Sequence, residues 1–289
     1  MPTMLSRKMG NNRFIITAEL APPRGSDMGA FLRMAEFVAP HVDAINVTDN
    51  QGANMRMTPL IAAALLVREG IEPIMQFTCR DRNRLALQSD LLGAAAMGIH
   101  NVLALTGDHI SCGDHRQGRA VFDLDSVMLI QTIQGLNEGV DINGKPLDGG
   151  TTFIVGAAAA PEVEPFIVTR PKLAKKASAG ARFFQTQAIF EPEKLRMFCA
   201  AVEPLGVKVL AGVLVLKSAK MADYINRNIP GLKIPQVVVE RLANAPDPAA
   251  EGLRIATELA LRCRDICQGV HLMAMGRDEV VPAIVAELR

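Results

Sequence analysis

Short runs of aliphatic residues, each closing on polar ones, recur along this chain at the spacing of alternating strands and helices. The plainest is Asn101-Val-Leu-Ala-Leu-Thr-Gly-Asp-His109, in which an aliphatic run stops at a Thr-Gly-Asp turn. A run of that length and composition reads as a parallel strand buried on both faces. The glycine allows the tight bend and presents the aspartate just past the strand. Similar runs lie at 13–20, 42–48, 72–77, 151–156, 182–187, 207–214 and 270–273. Helical patterns separate them, at 26–38, 59–69, 82–97, 125–136, 164–179, 192–202, 217–227, 235–242, 247–267 and 278–288. Eight such units predict a (β/α)8 TIM barrel, and 289 residues suit one barrel as a single α/β domain over 1–289. A doubly wound open sheet is the structural alternative, but it does not need an eighth unit so close to the terminus. No Gly-x-Gly-x-x-Gly follows the first strand, which removes the usual dinucleotide fingerprint.

Local signals add detail. Ser26-Asp27 reads as the cap of the first helix, with Phe31, Met34 and Phe37 along one face. Pro165 and Pro171 confine the regular part of the helix at 164–179 to its second half. The glycine-rich stretch 138–150 reads as a surface hairpin. With no Trp and one Tyr, the core is built from Ala, Leu, Ile, Val and Met.

Charge and composition exclude several classes of function. Lys and Arg number 31 against 30 Asp and Glu, so no net field draws nucleic acid or an anionic membrane. No apolar run reaches the ~18 residues of a spanning helix, and the amino terminus lacks a signal-peptide core. A cytoplasmic protein is the expectation. Five cysteines, Cys79, Cys112, Cys199, Cys263 and Cys267, read as reduced thiols. Cys263 and Cys267 sit four apart on a predicted helix, where packing is a better account than a metal pair with nothing to complete it.

The strand ends carry the chemistry, because parallel α/β folds gather functional groups at the carboxyl ends of their strands. They supply Glu19, then Thr48 with Asp49 and Asn50, Gln76 with Thr78, and Gln185 with Gln187. Glu19 lies among apolar neighbours, so burial is expected to raise its pKa toward neutrality. The plainer alternative is an ion pair with Arg24. Asp108 is placed to face the barrel mouth, as an electrostatic partner for a cation or a ring nitrogen, or else to cap the following turn. His109, Cys112 and His115, with Asp114, have the look of a zinc loop, but no fourth ligand stands at a standard spacing and a covering loop is the better account. Arg170, Lys172, Lys175 and Lys176 form a basic cluster that is either a solvated face or a phosphate contact. Gln185 and Gln187 share one side of their strand: if that side faces the barrel interior, two amides near the mouth suit the edge of a heterocycle, and otherwise they are helix-facing polar residues that need partners.

Five segments together resemble a known family. Thr17-Ala-Glu-Leu-Ala-Pro-Pro-Arg24, Ile45-Asn-Val-Thr-Asp49, Phe77-Thr-Cys-Arg-Asp81, Ala104-Leu-Thr-Gly-Asp108 and Thr186-Gln187 are similar, in order and spacing, to the methylenetetrahydrofolate reductase family of flavin-dependent (β/α)8 barrels. The segments at Asn46 to Gln51 and Thr78 to Arg84 resemble most the acetogen-type catalytic subunit. The resemblance implies reduction of 5,10-methylenetetrahydrofolate to 5-methyltetrahydrofolate by hydride transfer from reduced flavin. It makes Glu19 the general acid at N10, and Asp108 the group that stabilises the 5-iminium cation and tunes the flavin. It assigns Thr48, Gln76, Thr106, Gly107, Asp108, Phe122, Asp123 and Lys176 to the flavin, with FAD favoured over FMN, and Gln187 and Arg277 to the substrate. It implies NAD(P)H as electron donor, or a partner subunit carrying zinc and iron–sulfur clusters, and a homo-oligomer. It also implies roles in one-carbon metabolism, methionine biosynthesis or the Wood–Ljungdahl pathway. The chain departs from the single-chain bacterial pattern at Gln76, Ala160 and Glu164, where that pattern has histidine, tyrosine and histidine. Two rival readings are a flavin-independent, nicotinamide-dependent folate reductase and a non-catalytic barrel in an electron-transfer complex.

Overall fold

The computed structural model describes residues 3–162, 166–229 and 231–289. Eight parallel strands pair in chain order and the last returns to the first, closing the expected barrel. They are β1 (Ile15–Leu20), β2 (Ala44–Val47), β3 (Pro73–Thr78), β4 (Asn101–Leu105), β5 (Ile154–Ala159), β6 (Phe183–Ala188), β7 (Lys208–Leu214) and β8 (Gly269–Met273). After a leading helix α1 (Met4–Gly10), the outer ring is α2 (Gly29–Val38), α3 (Pro59–Arg68), α4 (Arg84–Ala96), α5 (Ser126–Asn137), α6 (Phe166–Ser178), α7 (Pro192–Val202), α8 (Ala219–Asn228), α9 (Gln236–Asn244), α10 (Pro248–Arg264) and α11 (Val281–Leu288). Among the described residues no helix is long and apolar enough to cross a membrane.

Strand register fixes which residues enter the barrel. Thr17 pairs with Ala44 and with His271, Glu19 with Asn46, Gln76 with Leu103, and Gln185 with Leu210. Because side chains alternate across a strand, the lowest inward layer is Ile15, Ala44, Ile74, Leu103, Phe183 and Leu210, a small core separate from the helix–strand core outside. Gly156 makes room for Phe183: a Cβ there would lie 2.2 Å from the ring. Leu5 of α1 seals this floor, fully buried against the same cluster. Thr3 caps α1 by accepting from Ser6 N at 3.0 Å, Glu72 accepts from Leu5 N at 2.9 Å, and Lys8 pairs with Asp43 at 2.7 Å.

Several boundaries differ from the sequence expectation, each for a local reason. α1 was not expected, since seven residues carry too little periodicity to register. α2 begins at Gly29, because Asp27 accepts from Gly29 N at 2.8 Å ahead of the helix and Ser26 makes no cap. Its inner face is Phe31, Ala35 and Val38, which leaves Phe37 50% exposed. β5 starts three residues late because Asn137 holds Phe153 N at 2.8 Å and the Thr151 hydroxyl at 2.7 Å against the end of α5. α6 runs through Pro171, which removes one intrahelical bond without ending the helix. The expected start of that helix, with Glu164 and Pro165, lies outside the described residues. α10 stops at Arg264, so Cys267 falls in the following turn, where its thiol donates to Gly269 O at 3.1 Å. The stretch 138–150 folds back as expected, with Val140 bridging Pro146.

Candidate active site

A cavity of about 330 Å³ opens at the carboxyl ends of the strands, and its wall includes Glu19, Gln76, Asp108, Lys176, Gln185 and Gln187. Five different strands or their following segments thus converge on one space. The two carboxyl groups singled out in the sequence, Glu19 and Asp108, share it.

Glu19 is enclosed by donors. Gln51 Nε2 reaches Oε1 at 3.0 Å, Gln76 Nε2 reaches Oε2 at 3.0 Å, and His271 Nε2 lies 3.5 Å from Oε2. Burial pushes this carboxyl up, but His271, then Gln76 and Gln51, outweigh it and hold the group below its ordinary value. That corrects the expectation of a raised pKa. Arg24 is not its partner either, for its guanidinium pairs with Asp114 at 2.6 Å. Below Glu19, fully buried His271 presents Nδ1 to Thr17 Oγ1 at 3.0 Å and to Asn46 Nδ2 at 3.4 Å.

A buried ionic web supports the wall at the ends of β2 and β3. Asp49 accepts from Thr78 N and Thr78 Oγ1, both at 2.9 Å, and from Arg82 Nη1 at 2.8 Å. Arg82 also meets Asp90 at 3.0 Å and lies 4.8 Å from the Phe77 ring centroid. Arg80, 1% exposed, forks onto Asp81 with Nε at 2.8 Å and Nη2 at 2.7 Å. Gly107, at φ 92°, lets the β4 turn lie against Thr78 and Arg80, where a Cβ would meet side-chain atoms at 3.1 and 3.2 Å. Asp108 stands exposed beyond it, in the field of Arg80. It does not cap the next turn; His109 does, accepting from Ser111 N.

On the opposite wall Lys176 is 8% exposed, and its ammonium donates to Ala158 O at 2.6 Å. Burial and then Lys172 push it down to about 8. Lys172 lines the cavity too, at its exposed rim; Lys175 and Arg170 are exposed and do not line it. Gln185 and Gln187 both line the cavity, as does Thr186 between them where the β6–β7 register shifts; Gln187 is exposed, and Gln185 Oε1 is buried with no hydrogen-bond partner. Thr106 lines the cavity and its hydroxyl accepts from Ser126 N at 3.2 Å.

Other expected positions lie outside the cavity wall. Asp123 is held by Arg84 at 2.8 Å, which brings its carboxyl down to about 2. Phe122, at φ 42°, stacks on His109 at 6.4 Å between centroids. Thr48 is buried with its hydroxyl unpartnered, and Arg277 Nη1 donates to Ala249 O at 3.1 Å. His109 and His115 turn to Ser111 and Asp114, each at 2.8 Å, and Cys112 is exposed. Asp114 ties this loop to its neighbours by accepting from Arg24 and from Met55 N at 3.1 Å. Among the described residues no group of three or more His, Cys, Asp or Glu side chains is placed to hold a metal. The five cysteines are free; burial pushes Cys79 and Cys199 up to about 12 and Cys267 up to about 11.

The family model described as methylenetetrahydrofolate reductase matches residues 4–289. The chain belongs to that family. Relatives include the probable methylenetetrahydrofolate reductase (NADPH) of Caenorhabditis elegans, 26% identical over 242 residues, covering 79% of this chain and 34% of the relative. Methylenetetrahydrofolate reductase (NADH) 1 of Arabidopsis thaliana is 24% identical over 286 residues, covering 93% and 47%. The chain therefore spans about a third to a half of the length of these relatives. In fold it is similar to DmoA from Hyphomicrobium sulfonivorans, with TM-score 0.57, 11% identity and coverage of 96% and 88%. It is also similar to a riboflavin lyase solved with modified FMN and riboflavin, with TM-score 0.57, 9% identity and coverage of 96% and 91%. At those identities the likeness is one of fold alone.

Within this methylenetetrahydrofolate reductase family member, sequence reasoning missed His271, Asn46 and Gln51 as parts of the Glu19 setting, and Asp278 after β8. Burial, then Glu279 and Glu19, push Asp278 up to about 6. A lone histidine in the aliphatic run of β8 was the available signal.

Proposed function

We propose that this methylenetetrahydrofolate reductase family member reduces 5,10-methylenetetrahydrofolate to 5-methyltetrahydrofolate in the cavity between Glu19 and Lys176. The observation that carries the reading is that Glu19, Asp108 and Gln187 line one space although they come from β1, the β4 turn and β6.

The wall suits a flavin. Lys176 is a buried ammonium whose hydrogen bond among the described residues goes to a backbone carbonyl, and Lys172 stands beside it, so the pair matches a phosphate. Gln76, Thr106, Gly107 and the unpartnered Gln185 Oε1 suit the polar edge of a ring system. When bound, the flavin, FAD in our reading, supplies the reducing equivalent. Gln187, at the rim, orients the pterin. Asp108 holds negative charge where the 5-iminium cation of the substrate forms. Glu19 gives its proton to N10 as the C–N10 bond breaks and is left as the carboxylate, the form its three donors favour. The cavity wall around Glu19 also limits the water that competes for that proton. We place the reaction in the cytoplasm.

Glu19→Gln tests the reading. The variant is expected to bind flavin and to be reduced normally, yet to form methyltetrahydrofolate at least ~100-fold more slowly. Methyltetrahydrofolate formation at the wild-type rate removes Glu19 from the reaction. Anaerobic titration with NADH and NADPH separates a nicotinamide donor from a partner subunit.

A further inference from the structure

An acid that works every turnover must be stable both with and without its proton. The three donors around Glu19 serve its ionised form; the protonated form needs an acceptor. The one side chain against Glu19 whose facing atom changes from donor to acceptor within the same ring is His271, 3.5 Å from Oε2 and fully buried.

We propose that His271 is a positioning residue that serves both protonation states of Glu19, donating from Nε2 to the carboxylate and accepting at Nε2 from the carboxylic acid. This rests on the reading of Glu19 as the acid. Two buried atoms support it. His271 Nε2 meets Glu19 Oε2 only at 3.5 Å, too long for a formed hydrogen bond, and Asn46 Oδ1 has no hydrogen-bond partner. With Glu19 ionised and the ring proton on Nε2, Asn46 Nδ2 faces the bare Nδ1 at 3.4 Å and Asn46 Oδ1 stays orphaned. With Glu19 protonated, its O–H donates to Nε2 and the ring proton sits on Nδ1. The Asn46 amide then turns its oxygen to Nδ1, and Thr17 Oγ1, 3.0 Å away, is a second acceptor. Both orphans are satisfied in that state. Thr17 and Asn46 therefore pair with either tautomer, and the ring need not move. Among charged groups, Asp278 on the segment after β8 feels the Glu19 carboxylate, and Glu279 acts on it as well.

The protons balance simply. Glu19 loses one to N10, whose electron pair comes from the broken C–N10 bond. Water entering the cavity restores it, and the ring proton only changes nitrogen.

The deciding measurement needs no turnover. In protein labelled with 15N-histidine and 13Cδ-glutamate, the His271 signals, assigned by their loss in His271→Leu, should change from the Nε2–H to the Nδ1–H pattern in the same pH step that protonates Glu19. In Glu19→Gln that step should vanish. His271→Leu should raise the Glu19 midpoint and slow methyltetrahydrofolate formation at least tenfold, with flavin reduction unchanged; His271→Gln, whose amide donates or accepts, should recover most of both. If His271→Leu does not fold, wild type and Glu19→Gln decide the matter. Ring signals indifferent to Glu19 titration overturn the proposal. Coupled titration in a protein that makes no methyltetrahydrofolate overturns the assigned reaction and leaves the Glu19–His271 linkage standing.

Discussion

Lys176→Met is the perturbation that best separates stability from function. The buried ammonium is pushed from its ordinary 10.5 down to about 8, by burial first and Lys172 second. At roughly 1.4 kcal/mol per pH unit, that difference corresponds to about 3 kcal/mol. The sign follows from the depressed value. Below about pH 8 the lysine is charged in both folded and unfolded chains, so the folded state carries the whole cost; the cost fades as pH rises toward 10.5. Methionine removes it and fills the same space, but it leaves Ala158 O without its donor, worth about 1 kcal/mol in the opposite direction. The flavin-free variant should therefore be about 1–2 kcal/mol more stable at pH 7, a rise of roughly 2–3 °C in Tm for a chain of this size. Losing a charge-assisted bond of about 1.5–3 kcal/mol should weaken flavin binding roughly 10- to 150-fold. Calorimetry of stripped protein at pH 7 and pH 10, with flavin affinity from fluorescence quenching, measures both, and the stability gap should narrow at pH 10. A less stable variant that binds flavin as tightly as wild type refutes the assignment of Lys176.

Two further outcomes follow from the buried charges near the mouth. Arg82→Met strands the fully buried Asp49 carboxylate, and urea unfolding should show a loss of about 3–5 kcal/mol; a loss under 1 kcal/mol contradicts the ionic web. Asp278→Asn acts in the other sense. Its raised value means the folded state carries a cost that is complete above about pH 6 and lost as pH falls toward 3.8, so the variant should gain on the order of 1 kcal/mol at pH 7 and nothing at pH 4 in chemical denaturation.

The barrel was legible because its strands are short, aliphatic and closed by polar residues, a composition that survives without knowledge of pairing. What was not legible depended on register and on distant partners. Strands buried on both faces show no alternation of apolar and polar residues, so nothing in Val270-His-Leu-Met273 tells which way His271 points until β8 is paired with β1. The sign of the Glu19 shift failed for the same reason: burial was visible in its apolar neighbours, but the donors that outweigh burial come from β3, β8 and the loop after β2. The pairing of Asp123 with Arg84, at the start of α4, was hidden in the same way, since the partner is distant in the chain. Gln185 and Gln187 both reach the cavity wall, but not by simple alternation: the β6–β7 register shifts between Gln185 and Ala188, and Thr186 lines the wall as well.

The barrel interior changes character from floor to mouth. Its lowest layer, sealed by Leu5, is wholly apolar, and a side chain such as Phe183 contributes about 2–3 kcal/mol by its burial there. One layer up, Thr17, Asn46, Gln76, Gln185 and His271 replace hydrocarbon with amides, a hydroxyl and an imidazole. Among the described residues, four of the five buried side-chain atoms without partners, on Asn46, Thr48, Gln185 and His271, belong to residues in or just above this layer. Each costs about 1–3 kcal/mol when left unmet. A barrel selected for stability alone would fill these positions with Leu and Val. Concentrating the cost just beneath the space that joins Glu19 to Asp108 fits the proposed function, in which polar atoms of a bound ligand, or a proton moving on and off Glu19, meet those groups.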